Sequence, residues 1–490
     1  MNKIRFVIFA VTLALIFTAC GAVYEEEYDA SDDITYDEIY GNAKEPVEEV
    51  YLARKELFLE DIDYLLYALE NNFALFDVAY WAHGMDIRQS IDNIRADVFA
   101  NPNMDVDGLF AAIHRETSTF GHIGHLRVVF PFVHLENYRN PNPGAAIFRE
   151  ENVLSFYEPR HPIGSVDSHM MADIMMGTGE VIFQNQLEQF ALFGERELSE
   201  KIAYAKAAGD YDEAMALMVQ AFDIIGDIPI VYTRIIEEGY IAYLTINSFG
   251  RALDTEEGRE IIFSFYEEIE EFGHLIIDLR RNEGGRWDFF RENIIRPNIT
   301  ERISLYGFAF IQSGEYNEGH LEDFRRGRGI GFFGMAPDPL DQLWSVAEII
   351  ENYDLPDINM ADMERMDYGR RLILALTPMR SGSEQPEPAF GGKIWLLTGP
   401  ITASAGEIAT RISMEAGFAT HVGELSGGNY GGPRTFVVLP NTGIMIMFDS
   451  FYITDSTGRP FEAGTIPHHF NREGMDALET TLALIAEGEY

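Results

Sequence analysis

Residues 396–412 read LLTGPITASAGEIATRI, and this stretch decides the fold. Lys393 to Thr398 (KIWLLT) is a short apolar run closed by Gly399-Pro400, the pattern of a buried strand that ends in a turn. Downstream, Ala405, Ile408, Ala409, Ile412 and Ala416 recur at helical spacing until Gly417 stops the run. Ser404 is therefore expected where a strand gives way to a helix, beside the unpaired N–H groups and the positive dipole end of the first turn. A developing negative charge is favoured there, so the hydroxyl can act as a nucleophile with an oxyanion held next to it. A serine at this position can also do no more than cap the helix, and the string alone does not separate the two roles.

Working outward, the same texture extends back to about residue 229. IVYTRII and YIAYLTI flank Glu237-Glu238-Gly239 and read as a hairpin, and Ile261, Ile262, Phe265, Ile269 and Phe272 give a helix ended by Gly273. Strand HLIIDLR and loop RNEGGR follow, then a long and poorly patterned stretch, then KIWLLT. After the Ser404 helix come PRTFVVL and IMIMFDSFYI around Asn441-Thr442-Gly443, read as a strand pair. The reading for residues 229–475 is an α/β core, with a C-terminal helix over 476–490.

Upstream lies a small helical domain, 51–135. Phe58, Ile62, Leu65, Leu66 and Leu69 share one helical face, and Val106, Leu109, Phe110 and Ile113 another. Residues 136–228 are least legible; KIAYAKAAGDYDEAMALMVQAF looks like a single helix-turn-helix, so the segment reads as a helical insertion or lid.

The first 20 residues read as a targeting segment. Lys3 and Arg5 precede an apolar run from Phe6 to Phe17, and Thr18-Ala19 supply small residues before Cys20. FTAC resembles a bacterial lipoprotein signal, which implies that Cys20 is lipidated and that the mature chain is anchored in the cell envelope outside the cytoplasm. Residues 21–50 are acidic with little apolar periodicity, the composition of a self-repelling tether.

Composition limits the remaining classes. The chain has 490 residues, 47% of them hydrophobic, enough for packed cores. A net charge of −44 repels polyanions and argues against nucleic acid as a partner. Cys20 is the single cysteine, so no intramolecular disulfide can form. His122 with His125, and His468 with His469, are histidine pairs, but no H-E-x-x-H or cysteine cluster accompanies them. No metal or organic cofactor is expected.

YIAYLTINSFG, LIIDLRRNEGG, LLTGPITASAGE, VGELSGG and GRPFEAGTIP occur in the order found in the C-terminal processing protease family of serine peptidases, which includes the tricorn protease core. The chain resembles that family over about 230–470, and HIGHLRV (residues 122–128) resembles its glycine-histidine signature. The resemblance implies a ClpP/crotonase-like α/β peptidase core acting on a peptide or protein substrate. It implies Ser404 as nucleophile, His125 as general base with His122 as the alternative, and Glu462 as the acid orienting the network. It further implies an oxyanion hole from Gly284 or Gly285 with Ala405. Asn429 stands where the Ser/Lys branch of the family has a lysine, which favours a histidine base, expected to titrate near the ordinary value of about 6.5; Gly124 stands where the tricorn branch has a hydroxyl, so any extra polarisation of His125 is missing. The rival expectation is a catalytically degenerate member of the fold retained as a peptide-binding or scaffold lipoprotein.

Overall fold

The structure, a computed structural model, describes residues 47–118, 123–129, 201, 217, 230–249, 256–327, 336–339, 341–379, 387–429, 432–442 and 444–488. Cys20, the acidic segment before residue 47 and His122 lie outside the described residues, as does the 136–228 segment apart from Lys201 and Leu217.

Four helices open the described chain: α1 (Val47–Asn72), α2 (Val78–His83), α3 (Ile87–Ala100) and α4 (Val106–Ser118), followed by β1 (Arg127–Val129). Their apolar faces are those read from the spacing, with Ile62, Leu65, Leu69, Leu109 and Ile113 buried. They do not close a core among themselves. The same cluster takes in Phe310, Ile446, Phe448 and Tyr452 from strands of the α/β region, so helices and sheet are packed as one. Asp61 on α1 fastens the contact: its carboxylate accepts from the backbone N–H groups of Asn441 and Thr442, each at 2.9 Å, and from the Thr442 hydroxyl at 2.6 Å.

The α/β region starts with β2 (Val231–Glu237) and β3 (Ile241–Ile246), the expected hairpin, with a bulge between Ile235 and Glu237. Next come α5 (Glu256–Glu268), β4 (His274–Asp278), β5 (Ile303–Ile311), β6 (Ala336–Pro337), β7 (Trp344–Ser345) and β8 (Tyr368–Leu376). The chain continues through β9 (Lys393–Thr398), α6 (Ala405–Glu415), β10 (Thr420–Gly423), β11 (Arg434–Val438), β12 (Met445–Asp449), β13 (Phe451–Thr454), β14 (His469–Phe470) and α7 (Ala477–Glu487).

A six-stranded sheet in the order β14-β10-β9-β4-β3-β2 is parallel except for the β2–β3 edge. Both of its faces are covered. Leu244, Leu275, Ile277 and Leu396 pack against Ile408 and Ile412 of α6, while Tyr243, Ile276, Trp395 and Val422 pack under Leu484 and Ile485 of α7. Burial on two faces explains why HLIID and KIWLLT are continuous apolar runs without alternation. The poorly patterned stretch between the RNEGGR loop and KIWLLT builds most of a second, antiparallel sheet, β13-β5-β8-β6, with β7 also on β8.

IMIMFDSFYI is not one strand. It breaks at Ser450: β12 pairs with β1 and β11 in a three-stranded sheet, and β13 pairs with β5 in the antiparallel sheet. Ser450 N–H donates to the Pro433 carbonyl and Asp449 N–H to the Gly124 carbonyl, which holds the corner. The corner leaves Asp449 as the last residue of β12.

Candidate active site

In an open parallel sheet, loops at the carboxyl ends of neighbouring strands converge on a shared crevice. Here β4, β9 and β10 are adjacent, and the loops that follow them contain Gly284-Gly285, Ser404 and Gly428-Asn429. The serine lies at the start of α6 with φ 54° and ψ −119°, and its side chain makes no capping hydrogen bond. A capping serine has extended backbone and lends its hydroxyl to the second or third N–H of the helix; Ser404 does neither, which leaves the hydroxyl available for other work.

Asn282 organises the loop after β4. It is fully buried, its side-chain amide donates to the Ile246 carbonyl at 3.0 Å, and its Oδ1 accepts from Gly284 N–H at 2.9 Å. Its backbone carbonyl accepts from Ala403 N–H at 3.1 Å, tying this loop to the residue before the serine. Of the two glycines named for the oxyanion hole, Gly284 thus has its N–H committed. Among the described residues none accepts from the N–H of Gly285 or of Ala405. Gly284 contributes by its missing side chain: a Cβ there, at φ 111°, would lie 2.7 Å from Ser404 Cβ and 2.8 Å from Ala405 N. The space in front of that helix N–H exists because residue 284 is glycine.

The loop after β10 holds both the serine and the histidine. Ser404 N–H donates to the Gly428 carbonyl at 2.9 Å, and the next residue, Asn429, accepts from His125 N–H on its Oδ1 at 3.2 Å. The site takes an asparagine where the lysine is absent and uses it to hold the backbone of the histidine. Among the described residues, three that are not glycine have positive φ: His125 (49°), Ser404 (54°) and Asn429 (58°). All three meet here. Each such conformation costs on the order of 1–3 kcal/mol and persists where the surroundings over-determine it.

His125 lies on the turn before β1, its side chain 13% exposed, with Nδ1 2.8 Å from Oδ2 of Asp449. Glu462 is buried and its Oε1 accepts from Gly124 N–H at 2.6 Å. Glu462, expected as the acid orienting the network, thus accepts from the backbone one residue before the imidazole, and the carboxylate on the ring is Asp449, which the sequence reading did not single out. The backbone of Glu462 is fixed as well, its carbonyl 3.0 Å from His83 Nε2 on α2 and packed against Gly428. Burial holds the His125 ring below the ordinary histidine value; Asp449 opposes that shift, while Arg434 and Arg127 add to it. This corrects the expectation of titration near 6.5, because a desolvated imidazole resists its charged form. The ring is neutral at pH 7, as a proton acceptor requires.

Behind the serine, Glu407 on the first turn of α6 is fully buried, accepting from the Ser426 and Thr465 hydroxyls. Arg411, one turn on, pairs with Asp455 at 2.7 Å and donates to the Gly464 carbonyl. This network ties the helix to the segments carrying Gly428 and Glu462. His468 is exposed, with Nδ1 accepting from His421 N–H. Among the described residues there is no group of three or more His, Cys, Asp or Glu side chains placed to hold a metal.

Residues 240–470 match the model of peptidase family S41. This stretch of the chain is a peptidase family S41 core. The matched segment contains Ser404, the Gly284-Gly285 loop, Asn429, Asp449 and Glu462; His125 lies before it. Among solved structures, the chain is similar to a candidate peptidase from Parabacteroides merdae ATCC 43184, at 15% identity and TM-score 0.46, covering 87% of this chain and 96% of that one. It is also similar to mature CPAF complexed with lactacystin, at 11% identity and TM-score 0.46, covering 89% and 98%. A third is the photosystem II D1 C-terminal processing protease, at 13% identity and TM-score 0.29, covering 50% and 49%. No curated protein matches the sequence. The matched segment, a little under half of the chain, is a peptidase-family core of mixed α/β fold.

Proposed function

We propose that the protein is an exported, lipid-anchored serine endopeptidase in which Ser404 is the nucleophile and His125 the general base. The observation that carries this reading is the meeting of three strained residues, Ser404, His125 and Asn429, at one loop. Strain gathered where a hydroxyl, an imidazole and open N–H groups converge serves chemistry better than packing. In the first half-reaction Ser404 Oγ attacks the peptide carbonyl carbon as His125 takes its proton. The oxygen charge that develops faces the N–H groups of Ala405 and Gly285. Collapse expels the amine, which leaves with the proton from His125, and water then hydrolyses the acyl-enzyme by the same route. Glu462 acts at one remove, by holding Gly124 and with it the turn that presents the imidazole.

A fluorophosphonate probe should label the wild-type enzyme at Ser404, and Ser404→Ala and His125→Ala should each lower kcat by a similar factor, on the order of 10³ or more, because such residues act as a unit. Turnover by His125→Ala close to wild type would sink the scheme, and an unlabelled wild type would favour a degenerate scaffold. The lipid anchor rests on FTAC. Cys20→Ala should move the protein from the membrane fraction to the soluble one, and unchanged partitioning would reject the anchor.

A further inference from the structure

Resting on that reading of Ser404 and His125, we infer that Asp449 is the residue that orients the imidazole of His125 and stabilises its charged form, the role that the family resemblance gives to Glu462. Four observations carry it. The first is contact, since the ring nitrogen Nδ1 and Asp449 Oδ2 are 2.8 Å apart. The second is that the two residues are also joined through the main chain: Asp449 N–H donates to the Gly124 carbonyl at 2.7 Å, and β12 pairs with β1 from Arg127↔Met447 onward. Carboxylate and ring are thereby fixed to each other at backbone as well as side chain.

The third is the manner of burial. Asp449 is 2% exposed at the end of the apolar run IMIMFD, and its Oδ1 has no hydrogen-bond partner among the described residues. Three other buried acids are better satisfied. Asp61 accepts three hydrogen bonds, Asp455 pairs with Arg411 and accepts from Thr457 and Arg459, and Glu407 accepts from Ser426 and Thr465. A carboxylate buried with one partner is costly, and a fold selected for stability alone replaces it by an apolar residue of similar size. What Asp449 gains by its position is the imidazole.

The fourth is electrostatic. Around the ring stand Asp449 on β12, Arg434 on β11 and Arg127 on β1, with Asn429 on the backbone and Glu462 held at Gly124. Burial and both guanidinium groups oppose an imidazolium; Asp449 is the charge that favours one. With Nδ1–H donated to Asp449, Nε2 carries the lone pair, accepts the Ser404 proton and later returns it to the leaving amine. The proton on Nδ1 stays where it is throughout.

Asp449→Asn keeps the volume but lets the ring adopt the wrong tautomer. We expect kcat to fall by about 10³ to 10⁴ with KM changed only a few-fold, and the acidic limb of kcat/KM to move to lower pH, because the charge that helped the imidazole hold a proton is gone. Glu462→Gln, whose amide oxygen can still accept from Gly124, should lose less than about tenfold and leave that limb in place. Retention of kcat within about tenfold by Asp449→Asn, or an acidic limb that moves in Glu462→Gln and not in Asp449→Asn, overturns the assignment. Should Asp449→Asn fail to fold, ¹⁵N NMR of the wild-type His125 ring decides: protonated Nδ1 and bare Nε2 at neutral pH support it, and the opposite tautomer rejects it. Failure of the serine-peptidase reading itself would be seen separately, as absence of probe labelling at Ser404, whereas the tautomer of His125 is readable in either case.

Discussion

A methyl group on Gly284 would stand 2.7 Å from Ser404 Cβ, 2.8 Å from Ala405 N and 2.9 Å from the Ala403 carbonyl oxygen. Contacts under 3 Å with backbone cannot be relieved by a rotamer change, so the loop after β4 or the start of α6 has to shift. The atom would also occupy the space in which an oxyanion meets the Ala405 N–H. Gly284→Ala is therefore expected to act as the loss of one oxyanion donor does, about 2.7–4 kcal/mol in the barrier, or a fall in kcat of about 10² to 10³. Gly239→Ala is the control: it too has positive φ (67°), but nothing lies within 4 Å of the added carbon, so it should cost stability of about 1 kcal/mol and leave kcat alone. Steady-state kinetics with melting temperatures of both variants make the comparison. Equal kcat in the two would mean that the space in front of Ala405 is not where the reaction's charge develops.

At the scale of elements, what was legible in the sequence is what is encoded locally. KIWLLT, HLIID and the 405–415 helix are buried on the faces their spacing implies, and the turn residues between them are glycine and proline. The corner at Ser450 was not legible, because an apolar run without glycine or proline gives no sign that its two halves join different sheets. One signal was present: Asp449 is the single charge in IMIMFDSFYI, and a carboxylate in a run otherwise fit for burial is out of place unless something needs it. The antiparallel sheet was hidden for a related reason. β8 reads YGRRLILAL, and the terminal nitrogens of its buried Arg370 donate to the carbonyls of Phe324, Asp338 and Asp341, partners that no local pattern announces. In the site, resemblance gave positions but not partners. His125 and Asp449 are 324 residues apart and Gly124 and Glu462 are 338 apart, so which acid meets the ring is settled by how β1 lies on β12.

Over the whole molecule the dominant long-range property is charge. Of the 44 net negative charges, ten belong to residues 21–50, so most of the field belongs to the rest of the chain. Such a field raises the local concentration of cations and repels anions, with a reach set by ionic strength. Guanidinium groups at the site, Arg127 and Arg434, act over a few ångströms on His125 and do not reverse the sign at distance. If the proposed peptidase function holds, a peptide flanked by lysines should be captured faster than one flanked by glutamates at low salt. The advantage should appear in kcat/KM, which contains the encounter step, and not in kcat. Raising ionic strength from about 0.01 M to about 1 M shortens the screening length from about 30 Å to about 3 Å, and over that range the preference for the basic peptide should fall by about tenfold or more. A small neutral ester should be hydrolysed with nearly constant kcat/KM throughout, which separates steering from any effect of salt on the site itself. Equal salt dependence for the ester and the basic peptide, or a preference for the acidic peptide at low salt, would show that local contacts and not the overall field select the substrate.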